Sequence, residues 1–216
     1  MQQPKSFQRQ ITKTVGLNYL LYLPPGYDEQ QRWPTILFLH GMGERGDDLE
    51  KVKVHGIPKK LEAGEDMPFI VISPQCPMGS FWTLETDALN ALLDEIIESY
   101  AVDTNRLYLT GLSMGGYGAW QLGTERPERF AAVAPICGGG YPERAPALKN
   151  TPVWVFHGDA DETVLLRESQ NMVDALQACG VKDVQFTVYP GVAHDSWTQT
   201  YDNPKLYEWF LSHRRG

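Results

Sequence analysis

An α/β fold, with a mostly parallel central sheet of about eight strands flanked by helices, is predicted by three features of the 216-residue chain. Short, nearly continuous apolar runs recur along it, as strands buried on both faces require. Between them lie segments whose apolar residues fall at i, i+3, i+4 and i+7, the spacing of a helix with one buried face. Alternation of the two implies crossover connections and therefore parallel strands.

The elements follow in order. Phe7 to Val15 and LNYLLYL (Leu17 to Leu23) read as a hairpin, with Gly16 and Asn18 at the turn. PPGYD breaks the chain before TILFLH (Thr35 to His40), the first buried run. Further runs are MPFIVIS (Met67 to Ser73), RLYLT (Arg106 to Thr110), FAAVAPI (Phe130 to Ile136), PVWVFH (Pro152 to His157) and VQFTVYP (Val184 to Pro190). From Thr86 to Tyr100, Ala88, Leu89, Leu92, Leu93, Ile96 and Ile97 share one helical face. A second helix is expected from Thr163 to Cys179, stopped by Gly180. A third is expected from Pro204 to His213, with proline in its first turn. With no repeat, linker or low-complexity tract, residues 1–216 are expected to form a single domain.

Composition narrows the function classes. Hydrophobic residues make up 42% and charged residues 21%, as in an ordinary globular protein. A formal charge of −8 with scattered lysines and arginines argues against nucleic acid or an anionic membrane surface as partner. No apolar run reaches membrane-spanning length, so membrane insertion is not expected. MQQPKSFQRQ lacks the apolar core of a secretory leader. Cys76, Cys137 and Cys179 are odd in number and lack metal-binding spacing, so reduced thiols and a cytoplasmic location are expected, with secretion open if a leader has been removed.

Ligands of open parallel sheets bind beyond the carboxyl ends of the strands. GLSMG (Gly111 to Met114, then Gly115) lies at such an end and matches G-x-S-x-G. In that motif a serine sits on a strained strand-to-helix turn and the glycines relieve the crowding around it. Ser113 is therefore the candidate nucleophile. A serine hydroxyl needs a base to take its proton. His194, in GVAHDSW after the last strand, is best placed to lean over it. His40 and His157 each end a strand before a glycine, where a structural hydrogen bond is expected; His213 belongs to the terminal helix. The acid orienting the imidazole should come from HGDAD, and spacing leaves Asp159 and Asp161 both open. HGDAD lacks the second histidine a metal site would need, so no metal is expected. The oxyanion of acyl transfer needs N–H donors. The amide of Met114 and, in LHGMGERG, that of Met42 next to Gly41 are the candidates.

Together LHGMGERG, SPQCP with Trp82 shortly after, GLSMGGYGAW, APICGGG, HGDADETV and GVAHDSW resemble the α/β-hydrolase carboxylesterases. They are most similar to the small phospholipase/carboxylesterase-like esterases, also called predicted peptidases. Dienelactone hydrolases, acyl-protein thioesterases and feruloyl esterase domains are more distant. The likeness spans about Tyr19 to Phe210. It implies Ser113 as nucleophile, His194 as base, Asp161 as the third member, and Met42 and Met114 as oxyanion donors. It also implies Trp82 and Trp197 as walls of the substrate pocket, with plain core packing the alternative for each. For Glu44 and Arg45, an ion pair bracing the oxyanion loop is expected in preference to substrate contact. About 48 positions separate Ser113 from Asp161 and about 33 separate Asp161 from His194, which leaves no room for a helical cap. The expected function is cofactor-free hydrolysis of short-acyl or accessible carboxylic esters, with a small-molecule ester as partner. Amide or peptide hydrolysis by the same triad, or feruloyl or acetyl xylan esters as a specialised substrate, are the alternatives.

Overall fold

The computed structural model describes residues 2–216. Its seven strands are β1 (Tyr19–Tyr22), β2 (Trp33–Leu39), β3 (Ile70–Pro74), β4 (Val102–Leu112), β5 (Ala132–Ile136), β6 (Val153–Gly158) and β7 (Val184–Tyr189). They form one sheet in the order β1-β3-β2-β4-β5-β6-β7, in which only β1 is antiparallel to its neighbour. The helices are α1 (Gly56–Glu62), α2 (Thr86–Ser99), α3 (Met114–Glu125), α4 (Leu166–Ala178), α5 (Trp197–Asp202) and α6 (Pro204–Ser212).

Alternation along each strand sends successive side chains to opposite faces. Leu37 and Leu39 join Ile72, Leu109, Val133 and Val155 beneath Leu89, Leu93, Trp120 and Leu176 of α2, α3 and α4. Ile36 and Phe38 join Tyr108, Ala134 and Phe156 against Ile57, Leu206 and Phe210 of α1 and α6. Both faces are therefore buried, which explains why β2 to β6 are continuous apolar runs. Among the described residues no helix is long and apolar enough to cross a membrane.

The expected hairpin is corrected. Only Tyr19–Tyr22 forms a strand, paired with β3, and residues 2–18 carry no helix or strand. The sheet consequently has seven strands instead of about eight. In the segment 7–15 the large apolar side chains Phe7 and Ile11 stand 86% and 84% exposed among polar neighbours. That is too little apolar surface to offset the entropy of ordering another edge strand.

Strand order positions the site. The chain leaves β2 toward β3 on one side and returns to β4 on the other, so the order reverses between β2 and β4. A crevice opens outside the carboxyl ends of strands at such a switch point. Gly41 and Met42 follow β2 there, and Ser113 follows β4.

Candidate active site

Ser113 is the single residue between β4 and α3, held at φ 54°, ψ −116°, a conformation rarely adopted outside glycine. Its amide donates to the Ile136 carbonyl at 2.9 Å. The turn is so tight that a Cβ on Gly115 would lie 1.9 Å from the Leu39 carbonyl oxygen, and one on Gly111 2.4 Å from that of Gly115. The glycines of the motif thus permit backbone to pack on backbone, and the serine side chain is left facing the crevice.

His194 arrives on the loop after β7. Gly158 makes that loop's approach possible, since a Cβ there would be 2.1 Å from the Val192 carbonyl oxygen. His194 Nε2 stands 2.8 Å from Ser113 Oγ, and Nδ1 stands 2.7 Å from Asp161 Oδ2. A carboxylate only accepts, so Nδ1 carries the imidazole proton and Nε2 is free to accept the serine's. Asp161 Oδ1 accepts the amides of Thr163 and Val164, both at 2.9 Å, which fixes the carboxylate on its own loop. Burial alone would raise the Asp161 carboxyl. The His194 hydrogen bond and the Val164 and Thr163 amides outweigh it and hold the group below its ordinary range.

The choice left open by spacing resolves geometrically. Asp159 is exposed and accepts the Gly191 amide, away from the imidazole. Asp195 is bonded to Thr198 through both backbone and hydroxyl. Of these three acids, Asp161 alone is hydrogen-bonded to His194.

The other strand-end histidines are structural, as expected. His157 Nδ1 meets Ser169 Oγ at 2.8 Å, while Nε2 meets the Val164 carbonyl at 2.8 Å and stands 3.3 Å from Asp161 Oδ2. It ties the acid's loop to β6 and α4. His40 Nε2 accepts the Cys76 amide at 3.0 Å, so Nδ1 bears the proton and donates to the Gly41 carbonyl at 2.6 Å. Burial lowers its pKa to about 4, so this ring is neutral near pH 7.

Met42 and Met114 each open a helical turn, where the first N–H groups have no partner within the helix. Gly41 between β2 and Met42 lies against Ser113: a Cβ there would be 3.8 Å from Ser113 Cβ. The Met42 side chain is half exposed at the mouth of a cavity of about 790 Å³ that contains Ser113 and His194. Trp197 walls that cavity, edge-on to His194 at 5.2 Å between ring centroids. Trp82 also borders it, but its side chain is fully buried beneath Gly118 and its indole N–H donates to the His40 carbonyl at 2.9 Å. Its larger part is therefore core, bracing the strand end that leads into Gly41.

The expected ion pair of Glu44 with Arg45 does not form. Arg45 donates to the Met42 and Ser80 carbonyls and lies over the Phe81 ring. Glu44 turns the other way, toward His40 and His55. The loop is braced instead by Gln75 of SPQCP, whose amide donates to the carbonyls of Glu44 and Asp48 at 2.8 Å each.

Several cavity residues escaped the sequence reading. Tyr117 and Gln121 are one and two turns along α3 from the serine, on the same face, a spacing that could have revealed them. His55, Phe81 and Tyr141 lie on connecting segments without periodicity and gave no such signal. Cys137, Asp161 and His194 place ligating atoms within 4.8 Å of one another. Burial pushes the Cys137 thiol up to about 12, and the Asp161–His194 hydrogen bond occupies the other two groups, so the set is poorly suited to a metal.

Comparison with known proteins agrees with this architecture. The bifunctional acetylxylan esterase/xylanase of Neocallimastix patriciarum is 29% identical over 136 residues, covering 61% of this chain and 20% of that protein. The Aspergillus terreus protein named "Probable feruloyl esterase C" is 28% identical over 128 residues, covering 57% of this chain and 47% of its own. This chain thus spans about a fifth and about half of those relatives. A crystal structure of a thermostable esterase superposes with a TM-score of 0.79 at 36% identity, over 92% of this chain and 60% of that one. The model of the Dienelactone hydrolase family matches residues 78–205, more than half of the sequence and including Ser113, Asp161 and His194. The chain belongs to the dienelactone hydrolase family.

Proposed function

We propose that this protein is a serine carboxylesterase acting on short-acyl or otherwise accessible carboxylic esters. The observation that carries the reading is the continuous line Asp161 Oδ2, His194 Nδ1, His194 Nε2, Ser113 Oγ, with links of 2.7 and 2.8 Å. Ser113 Oγ attacks the ester carbonyl as its proton passes to His194 Nε2. Asp161 stabilises the resulting imidazolium without taking its proton. The Met42 and Met114 amides receive the oxyanion. Collapse breaks the bond to the alcohol, which departs with the proton from His194 and leaves an acyl-serine. Water, deprotonated by His194, then attacks that acyl group, and the acid is released as the proton returns to Ser113.

The cavity is large enough for a hydroxycinnamoyl or similar group. Acetylxylan and feruloyl esters therefore belong in the substrate panel beside p-nitrophenyl acetate and butyrate, together with p-nitroanilides to score amide cleavage. Ser113→Ala is expected to remain folded and to lose at least about 10⁴-fold in kcat for the esters. A fluorophosphonate probe should label the native protein and not the variant. Normal turnover by Ser113→Ala would overturn the assignment.

A further inference from the structure

Glu44 is unexplained by the mechanism above. Its side chain is 9% exposed, and Oε2 is buried with no hydrogen-bond partner. The nearby bases do not neutralise it. Arg45 is turned to Ser80 and Phe81. His40 is held neutral by the Cys76 amide and stands 3.8 Å from Oε2. His55 Nε2 is 3.9 Å from Oε1, beyond hydrogen-bond range. A buried carboxylate left in this state is costly unless something completes its hydrogen bonds.

Oε2 is shut off in the core, but Oε1 also lacks a hydrogen bond and, unlike Oε2, is not fully buried, so Oε1 is the oxygen a ligand can engage. Glu44, His55 and Trp197 all border the cavity. Trp197 stands edge-on to His194 at 5.2 Å and to His55 at 5.5 Å, so the wall runs from the imidazole to the carboxylate. His194 delivers its proton to the departing oxygen, so this is the side on which the alcohol leaves. The 3.9 Å gap between Oε1 and Nε2 can be spanned by one oxygen at about 2.8 Å from each. A hydroxyl fits that place because it can donate to the carboxylate and accept from an imidazole N–H together. An alkyl group would leave both desolvated and unpaired.

We infer that Glu44 and His55, beside Trp197, form an alcohol-side subsite for a leaving group that carries a further hydroxyl, as in a polyol or a glycosyl residue. This rests on the ester-hydrolase reading and adds to it the class of alcohol.

The test compares 2,3-dihydroxypropyl acetate with propyl acetate, which share the acyl group and carbon count and differ in two hydroxyls. In the native enzyme the first should be favoured in kcat/KM by about ten- to a hundredfold, as expected for hydrogen bonds to a charged group. The ratio should shrink in Glu44→Gln and approach one in Glu44→Met. His55→Leu provides a second route to the same loss if a Glu44 variant fails to fold. p-Nitrophenyl acetate separates the two claims, because its alcohol carries no further hydroxyl. If the native enzyme hydrolyses it but shows a ratio near one, or if the folded variants keep the native ratio, the subsite is overturned and the esterase stands. If no ester is hydrolysed, both fall.

Discussion

At the scale of single residues, the decisive distinction is between two aspartates in one short loop. Asp161 bonds the imidazole, whereas Asp159 caps the turn at Gly191. Asp161→Asn would let His194 place its proton on Nε2, facing Ser113, and so remove the base. A loss of about 10³–10⁴-fold in kcat is expected, with KM little changed. Asp159→Asn should keep kcat within a fewfold of native, so steady-state kinetics on the pair decides the assignment. A pH dependence of stability follows as well. The Asp161 carboxyl is held below its ordinary range in the folded protein. Its stabilisation is therefore complete above the unfolded value, about pH 4, and disappears as pH falls through the lower folded value. The drop in Tm caused by Asp161→Asn should accordingly be larger at pH 7 than at pH 3. The meeting of Ser113 and His194 could be anticipated from the sequence because each follows a strand end in a recognisable motif. Glu44 was misread because Glu-Arg neighbours suggest a pair, while the direction of each side chain is set by loops that local spacing does not encode.

At the scale of elements, α3 shows how glycines of similar appearance do different work. Gly115 faces the Leu39 carbonyl, and Gly118 would bring a Cβ within 2.5 Å of Trp82 Cβ. Gly123, one turn and a half further on, would place its Cβ 3.4 Å from a Val133 methyl, an ordinary contact. Gly115→Ala should therefore disrupt the elbow and yield little folded protein. Gly123→Ala should raise stability by about 0.5–1 kcal/mol, because alanine restricts the unfolded chain and favours the helix. Thermal melts of the two variants check both outcomes. The same level explains which boundaries could be read. Buried runs marked β2, β3, β5, β6 and the inner part of β4 well, because burial on both faces leaves few polar residues to confuse the pattern. The helix expected from Thr163 begins at Leu166, because Asp161 draws the Thr163 and Val164 amides into a side-chain turn that competes with helix. Strand β4 extends beyond RLYLT to Val102, which pairs with Trp33 across an irregular register. Polar Asp103 and Asn105 hid that extension. The segment 7–15 has strand-like alternation without enough apolar surface to use it, and pattern alone does not report that deficit.

At the scale of the whole molecule, the convergence of the proposed catalytic residues is a consequence of strand order. Loops after β2, β4, β6 and β7 supply Met42, Ser113, Asp161 and His194, and parallel pairing brings all four carboxyl ends to one edge. Their convergence could be anticipated from the parallel-sheet rule, but the distances that make it chemistry depend on close backbone packing at Gly115 and Gly158. Nothing inserted between these strands reaches over the crevice as a helical layer. Residues 137–152 contain only the short 3₁₀ run Pro142–Leu148, which buries Ala145 and Leu148 in the core. The loop after β7 is committed to His194, and α4 packs on the sheet. Cavity-wall side chains are consequently left open to solvent, among them Phe81, Met42 and Tyr141 at 42%, 51% and 55% exposure. An enzyme that must first move a lid shows a jump in rate when its substrate forms an interface, because the interface stabilises the open state. If no segment closes over the crevice, as the arrangement of the described residues suggests, an interface has no differential affinity to contribute. The rate of tributyrin hydrolysis should therefore rise smoothly with concentration and pass through the solubility limit without a step. A sharp increase at saturation would mean that a segment closes over Ser113 in solution, and the mouth of the cavity, not its walls, would then govern which esters are cleaved.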